Sequence, residues 1–201
     1  MGEAVAILLA AGESRRMGQL KALLPWQGDT LLGCQVSSLL QAGISQVVVV
    51  LGHKRDRLLP LLEGRDRVVS VFNPDYQAGK TTSIKTGIKA VLRSPQAAAA
   101  QTLVLLNVDQ PRTAETISTL LSRHESSDCL ITIPVFQGKG GHPLILDCSL
   151  LPELLEIAEA SQGIRAVVRK HEERLHRVEV DTPEVLWDLN TPEQYQAALI
   201  Q

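Results

Sequence analysis

The chain has 201 residues, 44% of them apolar, a formal net charge of −2 at pH 7 and only 3% aromatic residues. That length and apolar content suit one α/β domain over 1–201, while the balanced charge and scarcity of rings exclude a nucleic-acid surface and point to a small-molecule substrate. Cys34, Cys129 and Cys148 form no CxxC pair and cannot all be paired, so neither a disulfide framework nor a structural zinc is expected, as suits a reducing cytoplasm. The apolar run Ala4 to Ala11 is short for a secretory signal, and no later stretch approaches the ~18 apolar residues of a membrane span. A cytoplasmic protein with no membrane contact is expected.

Apolar runs at Val5–Leu9, Val47–Leu51, Val68–Phe72 and Leu103–Leu106 are continuous rather than alternating, the pattern of buried parallel strands. Between them, Leu32, Val36, Leu39 and Leu40 share one helical face that Gly43 should stop, and Ile84, Ile88, Val91 and Leu92 share another. The order is β-α-β-α. The second half is less regular, with predicted strands at Cys129–Ile133, Pro143–Leu146, Leu175–Val180 and Val185–Trp187. Helices are predicted at Thr113–His124, Pro152–Ala160 and Ile164–Lys170. This mixing points to antiparallel additions on a parallel sheet. A last helix opens with Thr191 as N-cap, Pro192 at the first position and Gln194 at the third, and runs to the C-terminus. The tract Ser94 to Ala100 reads as a surface loop or helix tail.

Three familiar motifs fail. Gly79-Lys80-Thr81 ends like a phosphate-binding P-loop, but Pro74 stands where its first glycine belongs, and no GxGxxG follows the first strand. His171 and His176 lie five residues apart, not the four of a zinc-protease helix, and are expected on a solvated helix end.

Other segments carry chemistry. The first strand runs into Leu9-Ala10-Ala11-Gly12-Glu13-Ser14-Arg15-Arg16-Met17-Gly18, with Lys21 three residues on. Small residues at a strand end let backbone amides approach an anion, and Arg15, Arg16 and Lys21 supply positive charge for a triphosphate. Asn107-Val108-Asp109-Gln110-Pro111 puts a carboxylate at the carboxyl end of a strand, where open α/β sheets bind ligands, and Asp188 sits likewise before the last helix. Two such carboxylates suit one hard cation such as Mg²⁺, with ordinary helix capping as the alternative for each. Gly79, Lys80, Thr82 and Ser83 open a helix, where they would read a base, hold an anion or simply cap it. Gly138 to Pro143 forms either a hairpin turn or a loop that offers His142 to an anionic acceptor.

Together these segments resemble the molybdenum cofactor cytidylyltransferases, within the wider group of molybdopterin nucleotidyltransferases. The resemblance rests on LAAGxSxRMG at Leu9 to Gly18 with Lys21, the NVDQP segment at Asn107 to Pro111, GHP at Gly141 to Pro143, and D-x-x-T-P at Asp188 to Pro192. It implies a three-layer, Rossmann-like nucleotidyltransferase fold with a mostly parallel central sheet and antiparallel additions in the second half. It also implies that a molybdopterin phosphate attacks the α-phosphorus of CTP and pyrophosphate leaves. By that resemblance Arg16, Lys21 and Asp109 are catalytic, and Asp109 with Asp188 holds Mg²⁺. Leu9, Ala10, Ala11, Gly12, Ser14, Arg15, Arg16, Lys21, Gly79, Ser83 and Asn107 surround the nucleotide. His142 and Pro143 face the pterin, and a molybdoenzyme or its chaperone would receive the product. Arg15 occupies a variable position of the signature and ranks below Arg16. Ala11 favours CTP, since relatives that use GTP tend to LAGG. Ser161-Gln162-Gly163-Ile164-Arg165 departs from the usual Gly-Asp-Lys-Gly-like run, and DLNTPEQ stands where DIDTPED is more usual. A sugar or alditol phosphate acceptor and a non-catalytic cofactor-delivery module remain as alternatives.

Overall fold

Ten strands and six helices make up the computed structural model, which describes residues 3–95 and 97–200. The strands are β1 (Ala4–Ala10), β2 (Pro25–Trp26), β3 (Asp29–Thr30), β4 (Gln46–Leu51), β5 (Val68–Phe72), β6 (Thr102–Asn107), β7 (Ile131–Phe136), β8 (Lys139–Gly140), β9 (Leu144–Asp147) and β10 (Leu175–Glu179). The helices are α1 (Leu31–Gln41), α2 (Lys80–Arg93), α3 (Ala114–Glu125), α4 (Leu151–Glu156), α5 (Ile164–Lys170) and α6 (Pro192–Leu199). One eight-stranded sheet runs β10-β7-β9-β6-β1-β4-β5, with β8 added to β7, and β2 pairs with β3 in a separate hairpin. β6, β1, β4 and β5 are mutually parallel, and β10 is parallel to β7. β9 is antiparallel to both β6 and β7, which supplies the expected antiparallel addition.

The continuous apolar pattern of β1 has its cause in the two faces of the sheet. Ala4, Ala6, Leu8 and Ala10 pack into a core with Leu32, Val36 and Leu39 of α1 and Ile117, Leu120 and Leu121 of α3. Val5, Ile7 and Leu9 face the other way, against Ile84, Ile88 and Val91 of α2, Leu154 of α4 and Val167 of α5. With helices on both faces neither side needs polar residues, and the result is three layers. Gly87 lets α2 lie close on the sheet: a Cβ there would meet Ile7 Cγ2 at 2.6 Å. A third cluster seats α6 on the β2–β3 hairpin through Trp26, Leu31, Leu189, Tyr195 and Ala198.

Several expectations need correction. β5 is an edge strand with Val69 and Phe72 exposed, and Arg55 stacks over the Phe72 ring at 4.3 Å. Leu92 is exposed rather than on the buried face of α2. The strand predicted at Cys129–Ile133 begins two residues later and runs through Pro134, whose carbonyl accepts from Gly141 N at 2.8 Å. Val185–Trp187 is no strand: Pro183–Leu186 forms a 3₁₀ turn. α4 ends at Glu156, short of Ala160, and Ile157 in extended backbone stops it. His171 follows α5 and His176 lies within β10, so only the first of the pair stands at a helix end. Ala97 and Ala100 of the predicted surface tract pack into the α2-side core; Gln96 and the final Gln201 lie outside the described residues. Gly43, at φ 95, ends α1 as expected.

Candidate active site

The strand order dictates where a cleft can open. From β1 the chain steps outward to β4 and β5, then returns to place β6 on the other flank of β1. Connections therefore diverge on either side at the carboxyl ends of β1 and β6, the switch point at which open α/β sheets bind ligands. Leu9 pairs with Asn107 across these strands, and Val108 N donates to Leu9 O at 2.9 Å. A cleft of about 370 Å³ lies there.

The β1 exit loop forms one wall. Ser14 takes a left-handed backbone at φ 55, and its Oγ accepts from Lys21 N at 3.1 Å, so the loop folds back on itself. That turn buries Lys21, 8% exposed, and aims its ammonium at the β6 side. Lys21 Nζ donates to Asp109 Oδ2 at 2.6 Å and to Asn190 Oδ1 at 2.9 Å. Asn190 Oδ1 also accepts from Arg16 Nη2 at 2.7 Å, which ties the signature loop to the segment before α6.

Leu9, Ala10, Ala11, Gly12, Ser14, Lys21, Gly79, Ser83, Asn107, Asp109 and Asp188 all line this one cleft, although they come from distant parts of the chain. Four other expected site residues lie outside the lining. Arg15 pairs with Glu13 beside a shallow depression that shares Gly12, Ser14 and Tyr76 with the cleft. Arg16 touches the cleft only through Asn190. His142 and Pro143 are joined by a cis peptide bond and do not line the cleft. Burial, with Lys80, Arg112 and Arg165 nearby, drives the His142 imidazole down to about 3, so the ring is neutral at physiological pH.

Sequence reasoning missed Asn190 and Arg112 as parts of this architecture. Arg112 is 3% exposed, and its guanidinium donates only to backbone carbonyls. Nε bonds His142 O at 2.7 Å, Nη1 bonds Pro111 O at 2.7 Å, and Nη2 bonds Val185 O at 2.8 Å and Trp187 O at 3.1 Å. Burial pulls this guanidinium down to about 9, with Glu184, Asp188 and Asp109 acting in the opposite sense. The buried Glu184 carboxylate accepts from Thr113 N at 3.1 Å and Thr113 Oγ1 at 2.9 Å. One side chain thus stitches the Asp109 loop, the His142 loop and the Asp188 segment together. Leu189 N adds a direct link, donating to Asp109 O at 2.8 Å. The approach is tight: a Cβ on Gly141 would lie 2.2 Å from Val185 O. Gln137 and Gly138, both at positive φ, turn β7 into β8, so the glycine-rich segment is a hairpin that delivers His142 to this junction.

The donor set fits a hard divalent cation. Asp109 and Asp188 both line the cleft, and an ion such as Mg²⁺ keeps several waters and needs only one or two protein carboxylates. Among the described residues no group of three or more His, Cys, Asp and Glu side chains is placed to cage a metal by itself. Lys80 also lines the cleft; burial lowers its ammonium below the usual lysine range, while Asp109 and Asp188 act in the opposite sense.

A model of the MobA-like NTP transferase domain matches residues 6–175. The chain belongs to that family. As a nucleotidyltransferase of this type it has relatives along almost its full length. It is 26% identical over 192 residues to the molybdenum cofactor cytidylyltransferase of Escherichia coli strain K12, covering 96% of this chain and 93% of the relative. It is 33% identical over 198 residues to a molybdenum cofactor guanylyltransferase of Xanthomonas euvesicatoria, covering 94% and 90%. It is also 26% identical over 197 residues to nicotine blue oxidoreductase of Paenarthrobacter nicotinovorans, covering 94% and 92%. In fold it is similar to Rv0371c from Mycobacterium tuberculosis, with a TM-score of 0.84, 24% identity and coverage of 100% and 98%. No helix among the described residues is long and apolar enough to cross a membrane.

Proposed function

We propose that this nucleotidyltransferase moves CMP from CTP to the phosphate of a molybdopterin-type pterin and releases pyrophosphate. The observation that carries the proposal is the convergence of the Ala11–Lys21 loop, Asp109 and Asp188 on one cleft at the switch point of the sheet. In this reading an acceptor phosphate oxygen attacks the α-phosphorus of the nucleotide. One phosphorus–oxygen bond forms, the bond to the bridging oxygen breaks, and the electron pair leaves with pyrophosphate. Such transfer needs positioning and charge neutralisation more than a covalent nucleophile.

Each residue then has a task. Backbone amides of Ala11 to Ser14 receive the phosphates, and Lys21 neutralises charge that builds on them, with Arg16 held alongside through Asn190. Asp109 and Asp188 would hold Mg²⁺, which supplies further neutralisation on phosphate oxygens. Gly79 and Ser83 border the base. The pterin as acceptor is supported by the molybdenum cofactor transferases among the relatives, and CTP by LAAG at Leu9 to Gly12, where relatives that use GTP tend to LAGG.

The test is pyrophosphate release with CTP, GTP, ATP and UTP, each with Mg²⁺ and with or without molybdopterin. Release is expected with CTP only when the pterin is present, and more slowly with GTP. Release with GTP alone of the four would reassign the nucleotide. Failure with every nucleotide, or release only with a sugar or alditol phosphate, would remove the pterin reading.

A further inference from the structure

Nucleotidyl transfer to a phosphate brings two anions together, and the β1 exit loop accounts for only one of them. The residue that sequence reasoning offered to the second anion, His142, is neutral where it sits. Positive charge for the acceptor must come from elsewhere. Of the three cations that act on His142, Arg112 is spent on backbone carbonyls, which leaves Lys80, in the first turn of α2, and Arg165, in the first turn of α5.

Packing holds these two turns together. Glu159 Oε1 accepts from Thr81 N at 2.7 Å, and Gly79 lies so near that a Cβ on it would meet Glu159 Cγ at 2.5 Å. A Cβ on Gly163, at φ 56, would touch Thr81 Cγ2 at 3.1 Å. The segment 159–165 is thereby pressed on the start of α2. Lys80 lines the cleft with Asp109 and Asp188. Among the described residues, neither the Lys80 ammonium nor the Arg165 guanidinium makes a hydrogen bond or an ion pair, whereas Lys21 and Arg16 are both engaged. Glu159 and the two aspartates offset the charge of Lys80 only at longer range, and Arg165 opposes it. Lys80 is an unpaired cation in the cleft lining, and Arg165, exposed and outside that lining, is an unpaired cation near enough to repel it; the two together suit a dianion that arrives with substrate.

We propose that Lys80 and Arg165 form the seat of the acceptor's phosphate monoester, on the α2–α5 side of the cleft and next to the Asp109–Asp188 pair. This rests on the transferase reading above and assigns its second substrate to named side chains. The ammonium serves as a point charge, and the guanidinium supplies a planar fork for two phosphate oxygens. Held there, the acceptor phosphate stands beside the carboxylates that serve the α-phosphate, with His142 as an uncharged neighbour.

The experiment uses inorganic phosphate as the probe. It is titrated by calorimetry into the full chain saturated with α,β-methylene CTP and Mg²⁺, for the wild type, Lys80→Met, Arg165→Met and the control Lys89→Met on the exposed side of α2. The wild type and K89M are expected to bind phosphate alike. K80M and R165M are expected to bind it at least tenfold more weakly while holding the nucleotide within threefold. With pterin acceptor, the same two variants should raise its KM tenfold or more and leave the KM for CTP in place. Unchanged phosphate binding in both variants, or no binding by the wild type, overturns the proposal. So does a tenfold loss of nucleotide with phosphate retained, which would make the pair triphosphate ligands. The expected phosphate pattern without turnover on any nucleotide would sink the transferase reading and leave the anion seat standing.

Discussion

Lys21 is committed twice, to Asp109 and to Asn190, and it is nearly buried while doing so. Removing its charge therefore takes away transition-state stabilisation and also leaves two polar partners without their donor. For Lys21→Met we predict a fall in kcat of about 100-fold, corresponding to roughly 3 kcal/mol, with a far smaller change in the melting temperature. Steady-state pyrophosphate release alongside thermal unfolding checks both halves. His142 makes a different prediction, about pH. Its imidazole is pushed down to about 3 by burial and by Lys80, Arg112 and Arg165, whereas the unfolded chain titrates near 6.5. Across that window the unfolded state binds the extra proton, so folding stability rises with pH and is lost on acidification. His142→Asn should lose less stability between pH 7 and pH 4.5 than the wild type, as read from urea midpoints. His124, shifted the same way by burial, contributes equally to both proteins, and parallel losses would contradict the account.

At the scale of elements, Arg112 takes the place of a strand neighbour. Val185 and Trp187 look like part of a strand by their apolar character, yet Arg112 donates to both of their carbonyls and Pro183 sets a 3₁₀ turn. That misreading has a physical cause: a short apolar run does not announce whether its backbone will bond to another strand or to a distant side chain. The same limit hid Asn190, whose bonds to Arg16 and Lys21 span more than 160 residues. Pro134 concealed the length of β7, because a missing N–H argues against a central strand even where the neighbouring chain still uses its carbonyl. Arg112→Met takes the donor from the carbonyls of Pro111, His142 and Trp187, while Val185 O keeps His142 N, and a buried carbonyl left unsatisfied costs about 1–3 kcal/mol. We expect a stability loss of at least about 3 kcal/mol by urea unfolding. Because Trp187 precedes Asp188, the Mg²⁺ concentration for half-maximal rate should also rise several-fold. A purely structural role would lower stability and leave the metal requirement in place.

At the scale of the molecule, the placement of chemistry follows from a strand order that the sequence pattern largely foretells. Continuous apolar runs in β1, β4 and β6 mark strands covered on both faces, and all three lie in the middle of the sheet. β5, apolar but for Ser70, lies at its edge with one side open, since apolar composition alone does not state how many faces are covered. Asp109 is legible because it follows a recognisable strand. Asp188 is legible as a residue between elements, but its meeting with Asp109 depends on Arg112, Leu189 and the antiparallel β9, none of which a local pattern reveals. The central claim is one of place, that the exit turn of β1 receives a triphosphate whose charge is met by Lys21 and the two aspartates. A crystal soaked with α,β-methylene CTP and Mg²⁺ tests it most directly. Density for the phosphates against Ala11 to Ser14 and Lys21, with a divalent ion on Asp109 and Asp188, is the predicted result. A nucleotide bound elsewhere, with Lys21 still paired to Asp109 and Asn190 and touching no phosphate, would contradict the account.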